Sequence, residues 1–421
     1  MKRLRLPGAR LLRDDMARDS IVMVASTSLA GIFNYLYQLS MGRMLSREQY
    51  GVFFSLTSIF AVISVLAGAT RTSVAKFTSK YKADGEVDRI GSLWSSSLRR
   101  ALLLGFLSFA LAALLAPLLS RFLREDNNWY AIILFSSMLL VFAVPVNWGV
   151  LQGVQRFVPL GTTITLLDLL KLVAAALMVT LGFGLGGGLL AVFVAEAMVF
   201  LVTFYLLRGF LHTDCRSSHF EGFFSYSGWT LAATFSYAVC TNIDVILARR
   251  FFGEAVAGDY SALSVLGRVV LYVPIGVTMA MFPKVSELVE SGGRHRFLLH
   301  RALLYTLLLS GCVVAVYGLF GHTVTSVLFG ERYDIETASL LKYGLAMLLF
   351  AVSGVLMNYL FSLNRARMAA CLWLMIMALQ MVLMGLFHGN VDAMINVMTV
   401  AGVAGCVTML VSGLAKDREA A

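Results

Sequence analysis

Residues 42–59 read GRMLSREQYGVFFSLTSI and residues 248–266 read ARRFFGEAVAGDYSALSVL. Both open on basic residues and run into an apolar stretch, and Gly51 matches Gly258 at an offset of 207. Two further pairs keep step. VAKFTSKYKADG at 74–85 matches FPKVSELVESGG at 282–293, aligning Lys76 with Lys284 at 208, and Gln155-Arg156 matches Asn364-Arg365 at 209. Three separate connecting segments repeating at nearly one spacing mark an internal duplication.

The chain carrying this duplication has 421 residues, 59% of them apolar and 14% charged, with a mean hydropathy of +0.80. Soluble domains are about 25% charged, and no single globule buries so much apolar surface. Lipid is therefore the expected solvent. Six prolines without a low-complexity tract exclude collagen-like and disordered classes. Cys215, Cys240, Cys312, Cys371 and Cys406 are scattered, odd in number and form no CxxC, so they read as small apolar residues.

A spanning helix needs about 20 mostly apolar residues. Twelve runs qualify: 20–41, 50–70, 101–120, 131–152, 160–181, 187–207, 227–247, 258–282, 302–320, 340–362, 368–387 and 392–413. The connections leave no room for a soluble catalytic domain. Six spans per copy, an even number, give both copies one orientation. The expected fold is an all-α polytopic membrane protein of about twelve transmembrane helices, in two six-helix parallel repeats around a central cavity. Its segments are a basic N-terminal stretch at 1–19, an N-lobe at 20–207, a linker at 208–226, a C-lobe at 227–413 and a tail at 414–421. Rocking of one lobe against the other is a transporter's motion.

Lysine and arginine set the orientation. With a cytoplasmic N-terminus, 24 of the 34 fall on the inner side and 8 on the outer, with Lys171 and Arg268 inside spans. Both termini are expected to be cytoplasmic. The net charge of +10 belongs to these loops, and no nucleic-acid partner is expected. The first span is too long for a cleaved signal and lacks a small-x-small site. The alternating basic and apolar residues before it suit a short helix lying on the anionic inner leaflet. Val74, Phe77 and Tyr81, spaced by three and four, predict a second surface helix in the 2–3 loop.

Ionisable groups within spans cost about 2.5–3.5 kcal/mol each, so they turn inward and mark function or pairing. Here they are Asp168 and Lys171, Glu196, Asp244 and Arg268. Arg268 is a permanently charged fork near mid-membrane. It suits a phosphate or pyrophosphate, or else pairs with Asp244. Asp168 and Lys171 are three apart on one helical face, where they neutralise each other or couple to ions. Glu196 lacks an in-helix partner, making it either a proton or cation carrier or an idle protonated acid. Asn34 and Gln38 share a face of the first span beside Tyr35 and Tyr37 and suit sugar hydroxyls, but such groups also join helices in any bundle. Pro145, followed by Asn147, and Pro274 mark expected bends. Basic residues stand at both mouths: Arg71, Lys76 and Lys284 inside, where topology alone accounts for them, and Arg43, Arg249 and Arg250 outside, where the positive-inside bias opposes them.

GFGLGGG at 182–188 follows no strand, so it is no dinucleotide fingerprint. The chain has no GxxxxGK[ST] loop, no HExxH and no paired metal-ligand spacing, so neither cofactor nor metal is expected.

The basic N-terminus, the GRMLSREQYG that ends the first span, the basic 2–3 loop, LQGVQRF after span 4 and the glycine-rich 5–6 turn resemble the polysaccharide-transporter branch of the multidrug/oligosaccharidyl-lipid/polysaccharide (MOP) superfamily, whose members include Wzx-type oligosaccharide flippases. The resemblance covers essentially the whole chain and implies a MATE/MOP-like arrangement. It also implies a non-enzymatic flippase that moves polyprenyl-(pyro)phosphate-linked oligosaccharide to the outer leaflet of a bacterial or archaeal cytoplasmic membrane, for cell-surface polysaccharide biosynthesis. Polysaccharide polymerase or assembly proteins, besides membrane lipids, are its implied partners. On this reading Arg268 holds the phosphate at mid-passage, Arg71 and Lys284 capture it inside, and Arg43 and Arg249 release it outside. Asn34 and Gln38 line the path, and Asp244, Glu196, Asp168 and Lys171 are the coupling candidates. The rivals are a MATE-like multidrug/cation antiporter using Asp244 or Glu196, and a membrane-embedded glycan polymerase or ligase.

Overall fold

The computed structural model describes residues 8–210, 224–291 and 293–414. Cys215, most of the expected linker and the expected tail beyond 414 lie outside the described residues. Hydrocarbon offers the backbone no hydrogen-bond partner, so an apolar chain must pair its amides internally. It does so as helices, with no strand among the described residues. In chain order these are α1 (Gly8–Met44), α2 (Arg47–Ala83), α3 (Val87–Phe122), α4 (Trp129–Phe135), α5 (Met138–Val141), α6 (Ala143–Gly153), α7 (Phe157–Met178), α8 (Gly184–Leu207), α9 (Phe224–Cys240), α10 (Ile243–Phe251), α11 (Glu254–Tyr272), α12 (Ile275–Glu290), α13 (Arg296–Phe329), α14 (Thr337–Ser362), α15 (Ala366–Leu386) and α16 (Val391–Leu414). Ten runs among the described residues are long and apolar enough to cross a membrane. One of them, Phe157–Phe210, contains both α7 and α8, and α1 covers the first expected span.

Two expected surface helices are not separate elements. α1 runs unbroken from Gly8, so residues 8–19 of the expected basic stretch continue straight into the first span, while residues 1–7 lie outside the described residues. Val74, Phe77 and Tyr81 belong to α2, whose 37 residues extend about 55 Å, well past the hydrocarbon core. Small residues on α6 hold that extension. A Cβ on Gly149 would lie 2.7 Å from the Arg71 carbonyl oxygen, and one on Gly153 2.4 Å from the Thr78 Cβ. Only glycine lets α6 lie directly against α2.

The helix breaks have local causes. Pro274 separates α11 from α12 and cannot donate to the Val270 carbonyl. The Ser310 hydroxyl donates to that carbonyl at 2.8 Å instead. The break between α9 and α10 frees the Cys240 carbonyl, which accepts from Gln380 Nε2 at 2.9 Å. The fourth span breaks after Phe135 and again at Phe142, and the second break leaves Pro145 in the first turn of α6, where a missing N–H costs nothing. The turn between α7 and α8 needs positive φ at Gly182 (95°) and Gly184 (51°).

The duplication is visible in the backbone. Gln155 and Asn364, the matched pair, both take the left-handed conformation, with φ of 64° and 56°. Each ends its helix with the same two bonds. Gln155 N donates to Gln152 O (3.0 Å) and Arg156 N to Leu151 O (2.9 Å); Asn364 N donates to Phe361 O (3.0 Å) and Arg365 N to Leu360 O (2.9 Å).

The chain forms two compact units that do not follow the sequence halves. One comprises the chain to Met41, Ala67–Leu115 and the chain from Trp129 through α8; the other comprises Gly42–Leu66, Ala116–Asn128 and the chain from α9 on. Within the second unit Gly51 and Gly258 pack face to face. A Cβ on Gly258 would lie 2.2 Å from the Arg47 carbonyl oxygen, and one on Gly51 3.2 Å from the Gly258 amide.

Candidate functional site

Polar groups that cannot reach water must meet one another, and each unit holds a cluster around its ionisable residues. In the second unit, the break after α9 puts Asp244 in the first turn of α10, where free amides favour a carboxylate. Asp244 is fully buried. Its Oδ2 accepts from the Tyr260 hydroxyl of α11 at 3.0 Å and the Tyr343 hydroxyl of α14 at 2.6 Å, while its Oδ1 has no partner. Ser264 Oγ lies 2.9 Å from the Tyr343 hydroxyl. The Tyr343 ring reaches this point because α11 carries glycine at 267, where a Cβ would come within 2.2 Å of the ring.

Arg268 projects from the next turn of α11. Its Nη2 donates to Ser58 Oγ of α2 at 3.1 Å, its guanidinium lies 4.5 Å from the centre of the Phe54 ring, and its buried Nε has no partner. Arg268 acts on Asp244 electrostatically, but the tyrosines, rather than the arginine, take the carboxylate. Of the two readings left open by the sequence, a direct ion pair is not formed.

In the first unit, Lys171 Nζ donates to Asp168 Oδ1 at 2.6 Å and to Asn34 Oδ1 at 2.7 Å, and lies 5.1 Å from the centre of the Tyr37 ring. The Tyr37 hydroxyl donates to the Gly188 carbonyl at 2.9 Å. Glu196 is buried nearby with Oε2 unpartnered, and Lys171 acts on it electrostatically. Asn34 is thus a ligand of Lys171, whereas Gln38 keeps a buried Oε1 without a partner. Asn147 joins helices: it accepts from Trp94 Nε1 at 2.8 Å and donates to Thr203 Oγ1 at 2.9 Å.

The expected mouth residues divide. Lys284 is exposed on α12. Arg71 donates through Nε to Gln152 Oε1 at 3.0 Å and lies 5.7 Å from the centre of the Trp148 ring. Arg43 and Arg249 serve helix ends. Arg43 donates to the carbonyls of Val327 and Leu328 at the end of α13, the latter at 2.9 Å. Arg249 is only 2% exposed and donates to the Leu123 (2.9 Å) and Arg124 (3.2 Å) carbonyls beyond α3, with Glu254 at 3.1 Å. Sequence reasoning missed Tyr260, Tyr343 and the Arg47–Asp259 ion pair beside the glycine contact. No spacing pointed to any of them, because their partners lie on other helices.

A family model described as "Polysaccharide biosynthesis protein" matches residues 16–289. No curated protein sequence matches the chain. The fold is similar to that of an inward-facing multidrug resistance MATE family transporter of the MOP superfamily, with a TM-score of 0.76 and 15% identity, covering 95% of this chain and 100% of that one. An outward-facing transporter of the same description matches with a TM-score of 0.68 and 16% identity over 96% of both chains. The MATE multidrug transporter DinF-BH matches with a TM-score of 0.68 and 18% identity over 99% of both.

Proposed function

Because the chain belongs to the polysaccharide biosynthesis protein family and has the MATE-like fold of the MOP superfamily, we propose that this membrane transporter is a flippase for polyprenyl-(pyro)phosphate-linked oligosaccharide. It works by alternating access in a cytoplasmic membrane, with both termini inside. The observation that carries this reading is Arg268. Its guanidinium stands within a span, donates to a serine hydroxyl and lies over an aromatic face, and its Nε has no partner among the described residues, while the nearby carboxylate is occupied by tyrosines. A fixed cation with donors to spare suits a phosphate oxygen. Arg71 and Lys284 capture the headgroup on the cytoplasmic side. Arg43 and Arg249 meet it on the outer side only after leaving the carbonyls they now hold. Gln38 and Asn34 face the sugars, Asp168, Lys171, Glu196 and Asp244 are the coupling groups, and a polysaccharide polymerase receives the product.

The test is the pool of lipid-linked glycan in cells that depend on this protein. Depletion is expected to leave completed glycan in the inner leaflet, and Arg268→Ala is expected to do the same at normal protein level. Wild-type export by that variant would remove Arg268 from the mechanism. A second reading, a cation antiporter, draws on the MATE neighbours and on the unpartnered oxygens of Glu196 and Asp244. An unchanged glycan pool with altered efflux of a cationic dye would favour it.

A further inference from the structure

We propose that Tyr260 and Tyr343 are positioning residues: together they hold the Asp244 carboxylate away from Arg268 and so keep the guanidinium open to a phosphate group. The inference rests on the reading of Arg268 as the phosphate contact. A buried carboxylate must be given donors, and charge-assisted bonds are the strongest available. Asp244 has two competing sources: the phenol pair, which holds Oδ2 at 3.0 and 2.6 Å, and Arg268, one helical turn beyond the Ser264 whose Oγ lies 2.9 Å from the Tyr343 hydroxyl. An aspartate and a phosphate engage the same face of a guanidinium fork, so a direct Asp244–Arg268 pair would block the site that the anion needs.

The clamp is built to stay shut. Both tyrosines are buried, their rings meet edge to face at 5.9 Å, Ser264 holds the Tyr343 hydroxyl, and Gly267 makes room for the Tyr343 ring. What it leaves behind are two buried atoms without partners, Arg268 Nε and Asp244 Oδ1. One is a donor and the other an acceptor, and a singly protonated phosphate or a sugar hydroxyl offers the complement of both. Held by the tyrosines, the Asp244 carboxylate leaves the donors of Arg268 unoccupied.

The test uses purified full-length protein and inorganic pyrophosphate as the probe, with affinity read by calorimetry. Tyr260→Phe with Tyr343→Phe is expected to weaken binding by about tenfold or more, as Asp244 swings onto Arg268. Adding Asp244→Asn to that background is expected to restore most of the affinity, which a merely structural role for the phenols would not do. Tyr343→Phe alone, which keeps one donor, gives a smaller loss and serves if the double variant does not fold. Unchanged binding in the phenylalanine variants, or a loss that Asp244→Asn leaves uncorrected, overturns the clamp and leaves the Arg268 contact standing. Absent binding in the wild type, or full binding in Arg268→Ala, overturns the Arg268 reading itself and the clamp with it.

Discussion

Arg43 and Arg249 play reciprocal parts in the duplicated fold. Arg43 ends the first span and caps α13, the third span of the second repeat; Arg249 ends the seventh span and caps the end of α3, the third span of the first. Each supplies a cation at a helix C-terminus, Arg43 to carbonyls in the last turn of α13 and Arg249 to the two carbonyls just past α3. The exchange links the repeats within one compact unit.

The two caps differ in burial, and that difference sets a prediction. Arg249 is almost wholly enclosed and also holds Glu254, whereas Arg43 is exposed. Arg249→Met is expected to lower stability by about 2–3 kcal/mol and Arg43→Met by about 1 kcal/mol or less, since unmet buried groups cost more than solvated ones. Thermal unfolding in detergent measures both. The reverse order would mean that the capping bonds are not what these arginines contribute.

The glycine contact is asymmetric. Gly258→Ala drives a methyl into the Arg47 backbone and is expected to destabilise by about 1–3 kcal/mol, the usual range for overpacking. Gly51→Ala needs the neighbouring backbone to yield only a few tenths of an ångström and should cost clearly less. Comparing the unfolding midpoints of the two variants decides the matter.

Lys171 serves two acids. Lys171→Met removes the cation from beside Asp168 and Glu196 and is expected to cost about 3–5 kcal/mol, as breaking a largely buried pair does. Replacing Asp168 with Leu in the same chain should recover much of that loss. A double variant no better than the single one would show that Asp168 is not the partner left stranded.

The paired left-handed residues predict a gain. Gln155→Gly and Asn364→Gly relieve a conformation that side chains resist, at some cost in unfolded-state entropy, for a net of about 0.5–1 kcal/mol at most. Asparagine visits this region more readily than glutamine, so Gln155→Gly is expected to gain more. Equal or opposite shifts in melting temperature would contradict the argument.

Hydropathy and the repeat were enough to read the spans and the duplication, because both depend on local chain properties: apolar length sets a span, and copied loops keep their residues. The backbone then followed, down to the matching turns at Gln155 and Asn364. The surface helices were misread because periodicity shows which face is apolar but not whether a helix stops at the membrane. For α2, Gly149 and Gly153 decided that, by packing α6 against it.

Side-chain roles divided along the same line. Asp168 and Lys171 were legible as a pair because three residues of helix bring them together. Tertiary structure alone decided that Asp244 would be held by Tyr260 and Tyr343 instead of Arg268, and that Arg43 and Arg249 would cap distant helices instead of standing open. The reason is physical. A buried charge takes whichever donor or acceptor packing delivers, and packing joins residues that can be 285 positions apart, as Arg43 and Leu328 are.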